Sequence, residues 1–205
     1  MSIIRTDRID LLPATPVFVE SLIAQEYVRA GNLLNAVVPT GWPHDEAART
    51  GLPIHLQSMR ENARERLWRI RLIVLRESRV VIGSVNLKGL PKDNGDVEIG
   101  WGVSPEYQKR GIATEAARAA IEWAFSQEGA RRVIATIPED NVASIRVSRT
   151  LGDESDRGEA AWSAGMGLSS RRCKGMKLIS VPGEPYLTTA CTRPRIAVLL
   201  SRTCV

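Results

Sequence analysis

Apolar and polar residues alternate along five segments of the chain, and this period of two residues predicts five β-strands. In the fourth of them, DVEIGWGV, four apolar residues share one face, and Glu98 lies on the other face with two glycines. The second and third are separated by a short polar turn, which is typical of an antiparallel hairpin. The five predicted strands cover residues 8–13, 67–75, 79–87, 96–103 and 131–137.

Helical patterns fill the chain between the first two predicted strands. Thr15 and Pro16 predict a helix cap and a first helical position, and the helix that follows is expected to end at Gly31. A second helix is predicted from about residue 44, with an interruption around residues 51–53 and a continuation through SMRENARER. Acidic residues near its start suit the positive end of the helix dipole.

Two further helices follow the fourth and fifth strands. After Gly111, alanines share one stripe of the helical pattern, which lets this helix lie close to a sheet, while Glu115 is expected on the outer face. The last helix is predicted from about Asn141 to Leu151. The order β-α-α-β-β-β-α-β-α predicts an α/β fold, in which helices flank one mixed, largely antiparallel sheet.

The composition is that of an ordinary globular chain, since 43% of the 205 residues are hydrophobic and 25% are charged. The net charge is +5, but basic and acidic residues are interleaved and few aromatic residues accompany them, so we expect no nucleic-acid binding. No segment has the apolar length of a membrane span, and the N-terminus lacks the apolar stretch of a signal peptide. We therefore expect a cytoplasmic protein without membrane contact, as a monomer or homodimer.

A charged turn that contains glycine, QKRGIAT, lies between the fourth strand and the alanine-rich helix. The first turn of a helix has backbone N–H groups without intrahelical partners and carries the positive end of the dipole, so it attracts phosphate. Gly111 leaves room for a ligand beside the backbone, and Lys109 and Arg110 add positive charge. A glycine at a helix start is also common without any ligand. Neither the P-loop pattern nor the dinucleotide-binding glycine pattern is present.

Three motifs occur in order along the chain: EIGW on the fourth strand, QKRGIA at the start of the following helix, and NVAS in the segment that ends in LG. Together they resemble the GNAT superfamily of acetyl-CoA-dependent N-acetyltransferases, and within it the branch of the ribosomal-protein N-terminal acetyltransferases. The resemblance covers residues 8–152 and is specific over residues 96–152. It implies a sheet that is splayed between the fourth and fifth strands, with the pantetheine arm of acetyl-CoA in the gap.

The resemblance also implies roles for individual residues. The main chain of Val103 is expected to pair with pantetheine, and Asn141 and Ser144 are expected to face the arm or the thioester. Asn141 also suits a helix cap, and the two roles are compatible. Acetyl-CoA is the expected cosubstrate, and no metal is expected. The turn that would take the pyrophosphate consists of Gln108, Lys109, Arg110, Gly111, Ile112, Ala113 and Thr114.

Glu98 is the candidate general base, because a protonated amine cannot attack a thioester until a proton is removed. A strand glutamate without chemistry is the alternative interpretation. Some relatives place a tyrosine seven residues after the asparagine as general acid, and Ser148 stands at that position here. Proton return through water or Ser144 is therefore expected. The predicted function is direct transfer of an acetyl group to a primary amine in a ternary complex, the acceptor being a protein N-terminus or a small molecule.

The acceptor site is the least defined part of the prediction. By resemblance, the loop between the first two helices borders this site, which places Trp42 and His44 nearby as candidate substrate-binding residues. Trp42 also suits a role in packing the loop. Two alternative functions stay open: an acyl-CoA-binding module, and a damaged copy of the family with little or no transferase activity.

The acetyltransferase-like domain is assigned to residues 1–152, and residues 153–205 form an atypical tail. After LG the family has a phenylalanine and two more strands, whereas this chain continues with DESDRGEAAWSAGMGLSSRRC. One interpretation is a displaced reading frame, which predicts a weakly ordered tail and an exposed edge on the fifth strand. The other is a genuine extension in which VPGEPYL and RIAVLLS pair as strands. All three cysteines lie in the tail without a zinc-binding spacing: Cys173, Cys191 and Cys204.

Overall fold

The computed structural model of the protein describes residues 3–155 and 196–201. Its strands are Ile4–Arg5 (β1), Ile9–Pro13 (β2), Ile70–Leu75 (β3), Val81–Leu87 (β4), Asp96–Val103 (β5), Arg132–Pro138 (β6) and Ile196–Ser201 (β7). They form one sheet in this order, antiparallel from β1 to β5 and parallel from β5 to β7. The predicted mixed and largely antiparallel sheet is confirmed. The two-residue strand β1 shifts the numbering, so that the fourth and fifth predicted strands are β5 and β6.

Helices cover both faces of the sheet. The α-helices are Pro16–Ile23 (α1), Tyr27–Leu34 (α2), Glu46–Glu61 (α3), Ile112–Phe125 (α4) and Val142–Ser155 (α5). Short 3-10 helices, Ala63–Trp68 and Pro105–Tyr107, precede β3 and α4. Residues 67–69, which the sequence assigned to the second strand, therefore lie outside it.

The first predicted helix is in fact two helices. Thr15 caps α1 as predicted, since its side chain accepts a hydrogen bond from the backbone N–H of Phe18. The chain then turns before α2, and Gln25 in this turn has a φ of 60°, in the left-handed region that ends helices. The prediction of one helix running to Gly31 is wrong because a local turn of this kind has no glycine to mark it.

The interruption predicted around residues 51–53 is also wrong. Asp45 caps α3 by accepting a hydrogen bond from Ala48 N–H, and the helix continues through Pro53. Leu52 and Met59 are both buried in the core. Packing on both sides of the proline therefore outweighs the local cost of a proline inside a helix.

The sheet separates two hydrophobic clusters. One lies between the sheet and α4, where Val97 and Ile99 of β5 pack with the alanine stripe that the sequence predicts. The other lies between the sheet and the first three helices, and includes Phe18 and Leu72. Because side chains alternate along a strand, Glu98 of β5 faces the side of the first three helices.

The tail contributes β7, which pairs in parallel with β6. This is the strand that the second interpretation expected for RIAVLLS, and it covers the edge of β6 that the first interpretation expected to be exposed. Residues 153–155 of the tail belong to the end of α5, and the rest of the tail, including VPGEPYL and the three cysteines, lies outside the described residues.

Candidate functional site

β5 and β6 are paired only where they begin. Their parallel ladder joins Asp96 to Arg132, Val97 to Val133 and Glu98 to Ile134. Beyond this point the register of the ladder ends, although β5 continues to Val103 and β6 to Pro138. The two strands therefore diverge into a wedge-shaped gap with Glu98 at its vertex, which confirms the splayed sheet that the resemblance implies.

An ion pair closes the narrow end of the gap. The Arg132 guanidinium donates from Nε to Asp96 Oδ1 at 2.7 Å and from Nη2 to Asp96 Oδ2 at 2.5 Å. The Asp96 carboxylate is almost fully buried, and its hydrogen bonds to Arg132 outweigh the cost of burial and lower its pKa. This bidentate contact fixes the strands on one side of the vertex.

The main chain of β5 presents hydrogen-bonding groups to the gap. The Glu98 carbonyl accepts from Lys88 N–H, and Ser104 N–H donates to the Ile82 carbonyl, so these two residues face β4. Backbone groups of successive residues point to opposite edges of a strand. The backbone N–H and C=O groups of Val103 therefore point toward the gap, as expected for pairing with an extended amide-bearing ligand. Its carbonyl accepts a hydrogen bond from Gln108 Nε2 at 2.8 Å.

The backbone of the turn between β5 and α4 alternates in the sign of φ. Lys109 and Gly111 have φ values of 59° and 74°, and Arg110 between them does not have a positive φ. Alternation of this kind lets successive N–H groups converge into a concave nest for an anion. Gly111 stands at the N-cap position of α4, and within the described residues no side chain caps this helix.

The predicted turn residues differ in how their side chains are placed. The first four, Gln108 to Gly111, are exposed, and the Arg110 guanidinium lies 5.5 Å from the centre of the Tyr107 ring. Ile112 is buried in the core, so only its backbone is placed to meet a ligand. Ala113 and Thr114 are half-buried.

An N-terminal segment that the sequence did not single out reaches the same turn. Arg8, in the turn between β1 and β2, donates from Nη1 to the Arg110 carbonyl at 2.8 Å and from Nε to Glu115 Oε2 at 2.7 Å. Thr6 Oγ1 donates to Glu115 Oε1 at 2.5 Å. Glu115 is therefore held against the hairpin, and its predicted outward position is wrong. Burial raises the pKa of Glu115, but the hydrogen bonds from Thr6 and Arg8 lower it by more.

Glu98, the candidate base, is half-buried and forms an ion pair across the β4–β5 hairpin. Lys88 Nζ lies 2.5 Å from Glu98 Oε1. The sequence analysis did not identify Lys88, although its place near the end of the preceding strand is compatible with this pairing. The contact holds the carboxylate in one orientation beside the vertex and leaves its role as a base a prediction.

The face of β5 that carries Glu98 is open. A Cβ atom added at Gly100 or Gly102 would meet no heavy atom within 4 Å. The neighbouring Asn86 on β4 contacts His55 of α3, with Asn86 Nδ2 and His55 Nε2 3.2 Å apart. Burial, with the charges of Arg69 and Lys88, lowers the pKa of His55 below 6.5, which favours the neutral ring. This polar pair was missed because α3 and β4 are distant in sequence.

The start of α5 lies beyond the end of β6 and contains the other predicted ligands. Asn141 Oδ1 accepts a hydrogen bond from Ser144 N–H at 3.0 Å, so Asn141 caps this helix. Ser144 is half-buried, and Ser148 is buried with its hydroxyl donating to the Ile145 carbonyl. Contacts of Asn141 and Ser144 with the acetyl-CoA arm stay predictions.

The two candidate acceptor residues differ in exposure. Trp42 is only 4% exposed and packs in the cluster under the first three helices, which favours the packing role that the sequence left open. His44 is exposed, just before the start of α3. A substrate-binding role for either residue stays a prediction.

Two wider features bear on the class of protein. Among residues 3–155 and 196–201, no helix combines the length and apolar character that crossing a membrane requires. In the same part of the chain, no group of three or more His, Cys, Asp or Glu side chains is arranged to hold a metal ion.

Similarity to known proteins indicates the family of this chain. The family model described as "Acetyltransferase (GNAT) domain" matches residues 14–154. The chain is 32% identical over 81 residues to the uncharacterized N-acetyltransferase YjdG of Bacillus subtilis, and 44% identical over 55 residues to YnaD of the same organism. These alignments cover 40% and 27% of this chain. They span 48% and 32% of the relatives, so half or less of each relative's length is matched.

Solved structures show the same fold. A Bordetella pertussis protein assigned to the GNAT-family acetyltransferases is 22% identical and superposes with a TM-score of 0.52, over 74% of this chain and 88% of its own. A Vibrio cholerae protein assigned as a ribosomal-protein-serine acetyltransferase is 21% identical, with a TM-score of 0.51 over 74% and 82% of the two chains. At these identities the similarity concerns the fold alone.

Proposed function

The chain belongs to the acetyltransferase (GNAT) family, and from this premise we propose that it transfers an acetyl group from acetyl-CoA to a primary amine. One observation carries the proposal. The uncapped start of α4 and the diverging edge of β5 lie at the same gap, and a short turn with Lys109 and Arg110 joins them. This arrangement fits a ligand with an anionic end and an amide-bearing arm.

Each part of acetyl-CoA would meet a different part of the site. The pyrophosphate would accept hydrogen bonds from the backbone N–H groups of residues 109–113, and Lys109 and Arg110 would add positive potential. The pantetheine amides would pair with the edge of β5 near Val103, because backbone groups there point into the gap. The thioester would then lie toward the vertex, where Glu98 is located.

The reaction requires one proton to leave the amine and one to reach the sulfur. The neutral amine attacks the thioester carbonyl, a C–N bond forms and the C–S bond breaks. Glu98, directly or through a water molecule, accepts the proton of the amine. The thiolate of CoA is a tolerable leaving group, with a reference pKa of about 8.5, and takes a proton from water or by way of Ser144. Holding both reactants in the gap contributes to the rate by orientation.

The acceptor is proposed only by class. The open face of β5 beside Glu98, the polar pair His55–Asn86 and the exposed His44 suit a polar amine better than an apolar one. One structural neighbour carries the name of a ribosomal-protein-serine acetyltransferase, which supports testing peptides with an N-terminal serine. Trp42 would contribute by packing the loop that borders this side.

We also propose that the transferase domain ends near Gly152 and that the protein acts in the cytoplasm as a monomer or homodimer. The family match ends at residue 154, which supports the boundary. Of the residues after 155, the structure describes only those of β7.

Calorimetric titration with acetyl-CoA, followed by a thiol-release assay with an amine panel, tests the function. The panel should contain serine-initiated peptides, polyamines, aminoglycosides and amino acids, with mass spectrometry of the products. We expect saturable binding and acetylation of at least one amine. Tight binding without any turnover would support an acyl-CoA-binding module or a damaged copy of the family. Absence of binding would exclude the gap between β5 and β6 as an acetyl-CoA site.

A further inference from the structure

The turn between β1 and β2 is tied to the start of α4 by one arginine. All three nitrogen atoms of the Arg8 guanidinium have partners there: Nε and Nη2 contact Glu115 Oε2 at 2.7 Å and 2.6 Å, and Nη1 donates to the Arg110 carbonyl at 2.8 Å. The backbone N–H of Arg8 also donates to Glu115 Oε1. The contacts join residues more than a hundred positions apart in sequence.

The contact with the Arg110 carbonyl fixes a peptide plane inside the turn. A trans peptide is planar, with its C=O and N–H groups pointing in opposite directions. Because Arg8 holds the carbonyl of Arg110, the N–H of Gly111 points away from Arg8. Arg8 Nη2 also lies 3.6 Å from the place where a side chain at Gly111 would begin. Arg8 thus supports one side of the turn and directs an N–H group toward the other.

The contact with Glu115 removes an electrostatic conflict. A carboxylate in the first turn of α4 stabilises the helix but repels an anionic ligand at the same helix start. Glu115 is turned back against the hairpin by Arg8 and Thr6, and its carboxylate is paired with a cation. Without Arg8, this negative charge would face the anion site uncompensated.

We propose that Arg8 is a positioning residue of the acetyl-CoA site: it holds the Arg110 carbonyl and the Glu115 carboxylate so that the N–H groups of the turn are oriented to bind pyrophosphate. The inference rests on the proposed function. Arg8 acts through Arg110 and Glu115, because its guanidinium nitrogens are already directed at those two residues.

The test compares how tightly variants of the full chain bind two ligands. Calorimetry gives the dissociation constant of acetyl-CoA, and competition against acetyl-CoA gives that of S-acetylpantetheine, which has no pyrophosphate. The variants are Arg8→Ala, Arg8→Lys, Glu115→Gln and the double variant Arg8→Ala/Glu115→Gln. The matched control is Arg76→Gln. Arg76 is equally exposed and donates to the carbonyls of Thr6 and Asp7 in the same hairpin turn, with an ion pair to Asp10. None of these hydrogen bonds or ion pairs of Arg76 involves α4.

We expect Arg8→Ala and Arg8→Lys to weaken acetyl-CoA binding about fivefold, since an ammonium cannot hold both partners of the planar guanidinium fork. Glu115→Gln should weaken binding in the same direction, and the double variant should be no weaker than Arg8→Ala. S-acetylpantetheine binding should be unchanged in all of them, and Arg76→Gln should bind both ligands as the wild type does. Hydrogen exchange at residues 109–113 should increase in Arg8→Lys.

Four results would overturn the inference while leaving the proposed function intact. Tighter acetyl-CoA binding by Glu115→Gln, or unchanged binding by Arg8→Lys, would make Arg8 a simple cation for the phosphates. Equal weakening for both ligands, or for Arg76→Gln as well, would make the contact a general support of the fold. Wild-type protein that binds neither ligand would instead remove the proposed function itself.

Discussion

Two helices start beside the gap between β5 and β6, and their N-termini are completed in different ways. α5, which follows β6, has Asn141 as a cap, with its side-chain oxygen accepting from Ser144 N–H. α4, which follows β5, has Gly111 in the left-handed conformation at the cap position and receives no hydrogen bond from a capping side chain in the described chain. A side chain thus satisfies the Ser144 N–H at the start of α5, whereas no side chain does so at the start of α4 in the described chain.

The difference shows how the same local feature serves two purposes. Every α-helix begins with N–H groups that lack intrahelical acceptors, and a side-chain oxygen is the usual remedy. α4 has no such capping side chain in the described residues, and two cationic residues, Lys109 and Arg110, precede Gly111. An anion bound there would take the place of the cap and would gain from the dipole and the added charge. We infer that α5 mainly shapes the gap, whereas α4 holds the ligand in it.

The largest expected effect concerns Glu98, at the vertex of the gap between β5 and β6. If the helix starts bind acetyl-CoA and Glu98 removes the proton of the amine, Glu98→Gln should lower turnover about 100-fold or more. The reason is that general-base catalysis contributes a factor of about 10²–10⁴ to the rate. The affinity for acetyl-CoA should change little, and the pH–rate profile should lose the limb that the base contributes. Initial rates with the best acceptor and calorimetry on the same preparation measure both quantities.

Lys88→Gln is the matched control for this change, because it removes the cation of the Lys88–Glu98 pair and keeps the carboxylate. Its loss of turnover should be much smaller than that of Glu98→Gln. Equal losses of turnover and affinity in Glu98→Gln would instead show that the glutamate is structural.

The next effect concerns the uncapped start of α4. Gly111→Val should weaken acetyl-CoA binding about tenfold or more, by crowding the backbone and by straining a φ of 74°. The strain of about 1–2 kcal/mol is shared by Gly111→Ala, whose Cβ would be in ordinary contact with Arg8 Nη2 at 3.6 Å. The difference in affinity between the two variants, measured by calorimetry, therefore isolates the crowding. Denaturant unfolding should show a loss of stability in both variants, larger in Gly111→Val because a β-branched residue rarely adopts a positive φ. Unchanged affinity in a folded Gly111→Val would refute the role of this turn.

The sequence predicted the parts of the fold that local periodicity controls. β5 has the bounds of its apolar alternation, Asp96–Val103. α4 starts directly after Gly111, and all of its alanines except Ala113 lie in the core. The splayed gap was implied by the family resemblance that three motifs carry, and not by periodicity. Those features are encoded within a few residues of where they appear, so one sequence is enough to find them.

Features that depend on distant contacts were not predicted. Arg8 and Glu115 carry no local signal, because their pairing exists only once the β1–β2 turn lies against α4. His55 meets Asn86 only when α3 packs over β4. The continuity of α3 through Pro53 likewise depends on packing that no local rule contains. Candidate residues were therefore named on β5, the following turn, the start of α5 and the loop before α3, whereas Arg8 and His55, which reach them from other elements, were missed.

A smaller effect is expected at the capped start of α5. Asn141→Ala should lower the free energy of unfolding by about 1 kcal/mol, the usual contribution of an N-cap. Asn141→Asp keeps a capping oxygen, so its stability should stay near that of the wild type. If Asn141 also faces the ligand, the added negative charge should weaken acetyl-CoA binding in this stable variant. Denaturant unfolding and calorimetry measure the two quantities, and wild-type affinity in Asn141→Asp would limit the residue to capping.

The smallest effect distinguishes the two helix starts by pH. In the first turn of α4, burial raises the pKa of Glu115, and the hydrogen bonds from Thr6 and Arg8 lower it by more, so it lies below its ordinary value of 4.5. A carboxyl group whose folded pKa is lowered contributes its stability fully above the unfolded pKa and loses it as the pH falls through the folded pKa.

The neutral amide of Asn141 has no such dependence on pH. The stability deficit of Glu115→Gln, about 0.5 kcal/mol for a partly exposed ion pair, should therefore be complete at pH 7 and shrink below about pH 4.5, while that of Asn141→Ala stays constant. Urea unfolding of both variants and the wild type across this range measures it, since the other carboxylates are common to all three proteins. A Glu115→Gln deficit that does not change with pH would mean that the Arg8–Glu115 contact adds nothing electrostatic to the start of α4.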